Sequence, residues 1–372
     1  MGDQGKKLKL AAVQASSIFL NREGSVEKAC RLIREAGAHG ADLIGFPEGF
    51  IPAHPTWFHF QPTSSKKSLM LGRELFKNSV EIPSAATEAL GEACRQADII
   101  AVVGLCEKMP HTTGTMYNSQ IFIDRTAEII GTHRKLVPTL GERIVHTGGS
   151  GDTMKAFPTF FGNISGLLCG ENSNPLASFI LAAMHTVVHV AAWPAHFDLS
   201  TWMQDIIMAA TRGLAYQLKA FVINAVGVVT DEMIEAYALT DEDRQLMQKA
   251  KNAGAATIIG PLGQIIAGPL PAGDGILYAD VDLDDLLIPK LIADFGGHYN
   301  RFDLFSVSLN VDTPQPVKQV RTRFVADEPP ISIENEPGPE RFLQNQSQKG
   351  HGISRSVKKE AQRISKGQKE KG

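Results

Sequence analysis

No stretch of the chain is apolar for long enough to cross a bilayer. The nearest candidate, Phe179 to Trp193, is interrupted by His185 and His189, whereas a spanning helix needs about 20 apolar residues in a row. The first ten residues are polar and lysine-bearing, without the apolar centre of a secretory leader. Gly2 is placed for acylation, but position 6 is lysine where that signal needs Ser or Thr. No membrane association is expected. Cysteine is scarce as well. Cys30, Cys94, Cys106 and Cys169 are the only four, none forms a C-x-x-C pair, and no histidines stand at zinc-ligand spacing, so neither a disulfide framework nor a bound metal is expected. The thiols read as reduced, in a cytoplasmic protein. Strong charge is missing too: the net value is −3, which gives no electrostatic footprint for nucleic acid.

What is present is an ordinary globular composition, 43% apolar and 21% charged over 372 residues. That length holds one large domain or two small ones. The charge is uneven. Residues 345–372 hold eight of the 37 basic and two of the 40 acidic residues, which leaves 29 against 38 elsewhere. We therefore divide the chain into a domain over 1–310 and an extension over 311–372, Pro-rich and then basic. The extension reads as disordered or as an arm that contacts a neighbouring subunit. It lacks the interleaved aromatics of a nucleic-acid arm.

Periodicity places a strand over residues 9–15, a helix over 25–36 and a second strand over 42–46, a β-α-β start. Residues 51–67 read as irregular. A helix over 84–97 follows, then strands over 99–105, 117–124 and 128–133. Strands over 157–161, 164–168, 186–192 and 221–226 alternate with helices over 176–184 and 202–220. A charged helix over 231–251, a strand pair over 255–260 and 264–267, a strand over 275–281 and a helix over 283–293 complete the pattern. Several strands meet by short turns, so the fold class is α/β with mixed sheets and helices outside, rather than a doubly wound parallel sheet.

Three strand ends carry chemistry. The run Gly166-Leu167-Leu168-Cys169-Gly170-Glu171-Asn172 ends an apolar strand at a cysteine, with a glycine to let the chain turn. A lone cysteine is ordinarily a small core hydrophobe. Two further stretches change that reading. Gly45-Phe46-Pro47-Glu48 ends a strand in a carboxylate, and His133-Arg134-Lys135 places a lysine just past another. A thiolate adds to an electrophilic nitrile or amide carbon. The ammonium stabilises the charge that develops and favours the thiolate, and the Gly170 N–H can assist. The carboxylate takes the thiol proton, gives it to departing ammonia and then activates water. A Cys–His arrangement competes, but His185 and His189 sit in an apolar pattern and His54 and His59 read as structural or surface groups.

These stretches resemble the signature of the nitrilase superfamily, and more narrowly its nitrilase branch. The matching text is Phe46-Pro47-Glu48, His133 to Thr139 with Glu142-Arg143, Cys169-Gly170-Glu171-Asn172 with Pro175-Leu176, Gly275 to Asp280 and Gly297 to Arg301. The resemblance implies a four-layer α-β-β-α sandwich. It implies Glu48 as base, Lys135 as stabiliser of the tetrahedral intermediate, Cys169 as nucleophile and Glu142 as a second carboxylate near the site. The implied substrate is a small nitrile, converted to acid and ammonia through a thioimidate and an acyl-enzyme without cofactor or metal. Homo-oligomers built from dimers, extending to spirals or filaments, are also implied. Candidates for the pocket are Gly170 and Glu171 beside the nucleophile, with Trp57, Thr139 and Trp193. One departure is Gly170, where the branch commonly has Trp, which removes a bulky wall. Another is Phe302 in place of Pro. Alternatives are an amidase or carbamoyl-amide hydrolase, a cyanide hydratase that stops at the amide, and a non-catalytic scaffold.

Overall fold

A computed structural model describes residues 7–197, 202–313 and 317. The chain divides after residue 314 into two compact units, and the strands and helices of the described residues all belong to the first. The basic segment 345–372 lies outside the described residues.

The strands are β1 (Lys7–Ala15), β2 (Leu43–Gly45), β3 (Ile100–Lys108), β4 (Met116–Ile123), β5 (Ile129–Arg134), β6 (Phe157–Thr159), β7 (Gly162–Leu168), β8 (Thr186–Trp193), β9 (Phe221–Gly227), β10 (Thr257–Ile259), β11 (Ile265–Ala267) and β12 (Gly275–Asp282). The helices are α1 (Arg22–Ala38), α2 (Lys66–Asn78), α3 (Ala85–Ala97), α4 (Pro175–Ala183), α5 (Met203–Leu218), α6 (Asp231–Tyr237), α7 (Asp241–Lys251) and α8 (Leu287–Ala293). The strands form two sheets, β5-β4-β3-β2-β1-β12 and β6-β7-β8-β9-β10-β11. Among the described residues they are joined where Gln14 and Ala15 of β1 meet Val226 and Gly227 of β9.

Side-chain alternation along the strands builds the layers. In β1, Ala11, Val13 and Ala15 face one core with Ala29 and Ile33 of α1 and Leu90 and Ala93 of α3. Leu8, Leu10 and Ala12 face the other way, against Val188, Val190, Phe221 and Ile223 of the second sheet. The period of two puts every second residue on each face. Leu167 then packs against Leu181 of α4 and Leu214 of α5 on the far side. The order is therefore helices, sheet, sheet, helices, the four-layer sandwich expected. Both sheets are covered on both faces, so their strands read as continuous apolar runs.

Two elements differ from the periodicity. Residues 231–251 form two helices, because Ala238 is extended and Thr240 starts a new capping box with Asp243. Helix α2 begins inside the stretch read as irregular, where the Ser65 side chain accepts from the Ser68 N–H as its cap.

The strand directions matter most for the site. β2 runs parallel to β3, and β4 is antiparallel to both β3 and β5. β7, β8 and β9 are mutually parallel, and β9 is parallel to β1. The C-terminal ends of β2, β5, β7 and β8 therefore share one edge. There the chain leaving β2 passes close over β3. A Cβ at Gly104 would lie 2.1 Å from the Pro47 carbonyl oxygen and 3.0 Å from Glu48 Cα. Gly104→Ala is expected to displace the Pro47–Glu48 backbone, costing about 1–3 kcal/mol of stability and lowering turnover more than stability alone explains. Thermal unfolding and kinetics check this; a variant indistinguishable from wild type would contradict it.

Candidate active site

Glu48, Lys135 and Cys169 each leave a strand at the shared edge and converge. Glu48 follows β2, and its N–H donates to the Trp193 carbonyl of β8 at 3.3 Å, which ties the loop across to the second sheet. Lys135 ends β5, and its N–H donates to the Asn118 carbonyl at 2.8 Å. Cys169 ends β7 and opens a 3₁₀ turn over Cys169–Ser173, before Asn174 caps α4 and Pro175 begins it.

The turn is made by the cysteine itself. Cys169 has φ of 50°, while Gly170 has no positive φ. A left-handed backbone at a non-glycine residue is strained, and such strain concentrates where a side chain must be presented. The glycine supplies open space instead: a Cβ there would meet nothing within 4 Å. Glu171 holds the strained turn. Its Oε2 accepts from the Leu168 N–H at 3.1 Å and from His133 Nε2 at 3.0 Å, and its Oε1 accepts from the Leu136 N–H at 2.7 Å. It braces the end of β7 against the end of β5, so it positions Cys169 beside Lys135.

Two carboxylates share their donors. The Lys135 ammonium lies 2.7 Å from Glu48 Oε1 and 2.8 Å from Glu142 Oε2. The Asn118 amide of β4 donates to the same two groups, to Glu48 Oε1 at 2.6 Å and to Glu142 Oε1 at 2.7 Å. Glu142 also accepts from the Thr139 N–H at 2.8 Å and from His146 Nδ1 at 3.1 Å. Thr139 is the cap of the 3₁₀ turn carrying Glu142 and is itself exposed. Glu48 Oε2 has no hydrogen-bond partner among the described residues.

Burial sets the protonation states. It pushes the Glu48 carboxyl up, but Lys135 and His54 together outweigh it and the group ends below the usual carboxylate range. Glu142 is lowered in the same way, with His146, His54 and Lys135 overcoming its burial. Lys135 is held charged, because Glu48, Cys169 and Glu142 override its desolvation. Lys135 favours the Cys169 thiolate, as expected, but is outweighed. Burial, then the Glu48 charge, push the Cys169 pKa up to about 12, and Lys135 and the Gly170 N–H offset only part of that. The resting side chain is a thiol, and it would need a base to act as a nucleophile.

The remaining pocket candidates separate into one at the sulfur and one behind it. Trp193 is buried and packs with Cys169, Ile207 and Val226, so it walls the sulfur. Trp57 is wholly enclosed in a cluster with Tyr237, Phe58 and Phe197, behind the site. Three residues that sequence reasoning did not assign also converge. Asn118 is signalled only by a polar run, Asn118-Ser119-Gln120, in an apolar strand. His54, expected to be a structural or surface group, is buried 3.4 Å from Glu48. His196 Nε2 lies 3.7 Å from the Cys169 sulfur. Burial holds the His196 pKa near 3, so it is neutral there. His189, as expected, is a core group, hydrogen-bonded to Ser165 and Asn172. All four cysteines are free thiols.

Similarity to known proteins identifies the family and the fold. The carbon-nitrogen hydrolase family model matches residues 9–286. A nitrilase of Bacillus sp. (strain OxB-1) is 34% identical over 317 residues, covering 84% of this chain and 91% of its own. An aliphatic nitrilase of Rhodococcus rhodochrous is 34% identical over 315 residues, covering 83% and 84%. The crystal structure of Saccharomyces cerevisiae Nit3, a member of branch 10 of the nitrilase superfamily, superposes with a TM-score of 0.59 at 18% identity, covering 77% of this chain and 94% of that one.

Lys135→Met leaves two buried carboxylates without their shared cation. Breaking a buried pair costs about 3–5 kcal/mol, so the variant is expected to lose that stability at neutral pH. The deficit narrows as pH falls, because without the ammonium both carboxyls take up protons at higher pH and the uncompensated charge disappears. Denaturant unfolding across pH checks this. A variant as stable as wild type at pH 7 would contradict it.

Proposed function

The chain belongs to the carbon-nitrogen hydrolase family, and on that premise we propose that it is a nitrilase, converting an organic nitrile to the carboxylic acid and ammonia. The observation that carries this reading is a buried, protonated Cys169 thiol that feels the charge of Glu48, whose second oxygen has no hydrogen-bond partner among the described residues. Relatives named as nitrilases, alignable over more than four-fifths of the chain, support it.

Glu48 Oε2 takes the Cys169 proton as the sulfur attacks the nitrile carbon, and the proton passes to the nitrogen to give a thioimidate. Lys135, beside the reacting carbon, opposes the charge that develops on the former nitrile nitrogen and later on oxygen. Glu48 then deprotonates water, which adds to the thioimidate, and returns a proton to the nitrogen as ammonia leaves. A second water releases the acid from the acyl-enzyme. Glu142, Asn118 and the Thr139 turn hold Lys135 and Glu48 in register. Among the described residues no helix is long and apolar enough to cross a membrane, and the free thiols support a reducing, cytoplasmic setting.

A homo-oligomer is part of the same reading. Leu287, Ile288, Leu291 and Ile292 of α8 are 58%, 68%, 76% and 63% exposed, and an apolar face of that kind on a described unit favours a subunit contact. Leu291→Lys is expected to reduce the assembly's size by size-exclusion chromatography with light scattering; an unchanged elution profile would count against this face.

The catalytic reading is tested by ammonia release and product chromatography on a panel of nitriles and amides. Wild type should give acid and ammonia from nitriles, and Cys169→Ala should give neither. Gly170→Trp, which fills the open space beside the nucleophile, should change the preferred nitrile or the acid-to-amide ratio. Turnover of amides alone would move the assignment to an amidase, and turnover surviving in Cys169→Ala would remove the nucleophile.

A further inference from the structure

His54 is a buried ionisable group at the site that this mechanism leaves unused. Its Nε2 lies 3.4 Å from Glu48 Oε1 and 3.8 Å from Glu142 Oε2. Neither ring nitrogen makes an aligned hydrogen bond among the described residues, and the residue is only 9% exposed. Burying an imidazole without hydrogen bonds is costly, unless charge holds it in place. Two carboxylates face it, and Lys135 sets only one positive charge between them. An imidazolium at His54 makes the balance two and two. The loop is shaped to put it there: Gly49 takes φ of 59°, and a Cβ on it would lie 3.0 Å from His54 Cα and Cβ.

The other titratable groups around His54 come from every packed element. Glu142 and His146 lie on and after the turn beyond β5, and Lys135 lies at the end of β5. Cys106 is on β3, donating to the Ala53 carbonyl at 3.3 Å. His196 and Cys169 follow β8 and β7. Burial keeps His146 and His196 neutral and pushes both thiols up. At neutral pH the charges are therefore Glu48, Glu142, Lys135 and His54.

We propose that His54 is a positioning residue that keeps a positive charge beside Glu48, and that this charge decides whether the tetrahedral intermediate loses ammonia or loses the thiol. The inference rests on the nitrilase reading. The intermediate carries sulfur, hydroxyl, amino group and the organic substituent on one carbon. Along one route Glu48 takes the hydroxyl proton as the carbonyl forms and delivers it to nitrogen, the C–N bond breaks, and ammonia departs from an acyl-enzyme. Along the other the C–S bond breaks, the sulfur takes the proton, and the amide is released. A cation 3.4 Å from Glu48 makes its carboxylic acid a stronger donor, which favours the first route. Burial would lower the His54 pKa, but Glu142 and Glu48 outweigh it and raise it to about 9. The charge is present below that pH and is lost as pH rises through it.

The test is the acid-to-amide ratio and the pH profile of kcat/KM, measured for wild type, His54→Asn and His54→Lys on a nitrile that wild type converts. Removing the cation raises the Glu48 pKa, so in His54→Asn the acid limb should move up by about one pH unit or more. Its amide share should rise by up to about tenfold, the factor that one pKa unit carries. His54→Lys should restore both. In wild type alone, and so independently of how any variant folds, the amide share should climb as pH passes about 9. A wild-type ratio flat across that range, or His54→Asn with an unmoved acid limb, overturns the role of His54 while nitrile turnover stands. A wild type inert to nitriles overturns the nitrilase reading, and the partition assigned to His54 with it.

Discussion

Everything at this site depends on burying two carboxylates together. Glu48 and Glu142 are 2% and 3% exposed, and an ionised carboxylate out of water is tolerated only when charge and hydrogen bonds replace the solvent. The Lys135 ammonium and the Asn118 amide each reach across both groups, and His54 stands against the pair on another side. The arrangement leaves Glu48 ionised with one oxygen free. The same low-polarity surroundings raise the Cys169 pKa, so an ionised carboxylate and a protonated thiol follow from one constraint acting on two kinds of acid. The attraction between Lys135 and its carboxylates wins over desolvation; at the thiol, where Lys135 offsets only part of it, desolvation wins.

The sandwich supplies the rigidity this requires. Strand ends from both sheets meet at one edge, and Glu48, Lys135 and Cys169 are each the first or nearly the first residue beyond a strand. A charge cluster on mobile loops would draw in water and lose its mutual attraction. Here the Glu48 loop is pinned to β8, Glu171 clamps the Cys169 turn to β5, and the absence of a side chain at Gly104 lets the Glu48 loop lie against β3.

Much of this was legible in the chain. The layers follow from alternating apolar residues, and the gathering of Glu48, Lys135 and Cys169 at one edge follows from strands that stop just before them. What was hidden is what folding brings together from afar. His54 sits in a Pro- and aromatic-rich loop where nothing local marks it as charged. His196 lies three residues beyond a strand with no motif around it. Asn118 looks like one polar residue among several. Gly170 drew notice as the turn-former because glycine usually takes the left-handed backbone, yet tertiary contacts through Glu171 impose that conformation on Cys169. Local propensity yields to such contacts wherever a side chain must be presented, and here that happens at Cys169.

The central claim is that Cys169 forms a covalent bond to the substrate carbon with Glu48 moving the protons. Its most direct test is mass spectrometry of wild type quenched in acid during turnover of a nitrile, with peptide mapping and with Glu48→Gln as the control that should carry no adduct. The expected result is an adduct, equal in mass to the nitrile added whole or to its acyl group, confined to the peptide bearing Cys169. No adduct on wild type while it turns the nitrile over, or an adduct carried by Cys30, Cys94 or Cys106 instead, would contradict it.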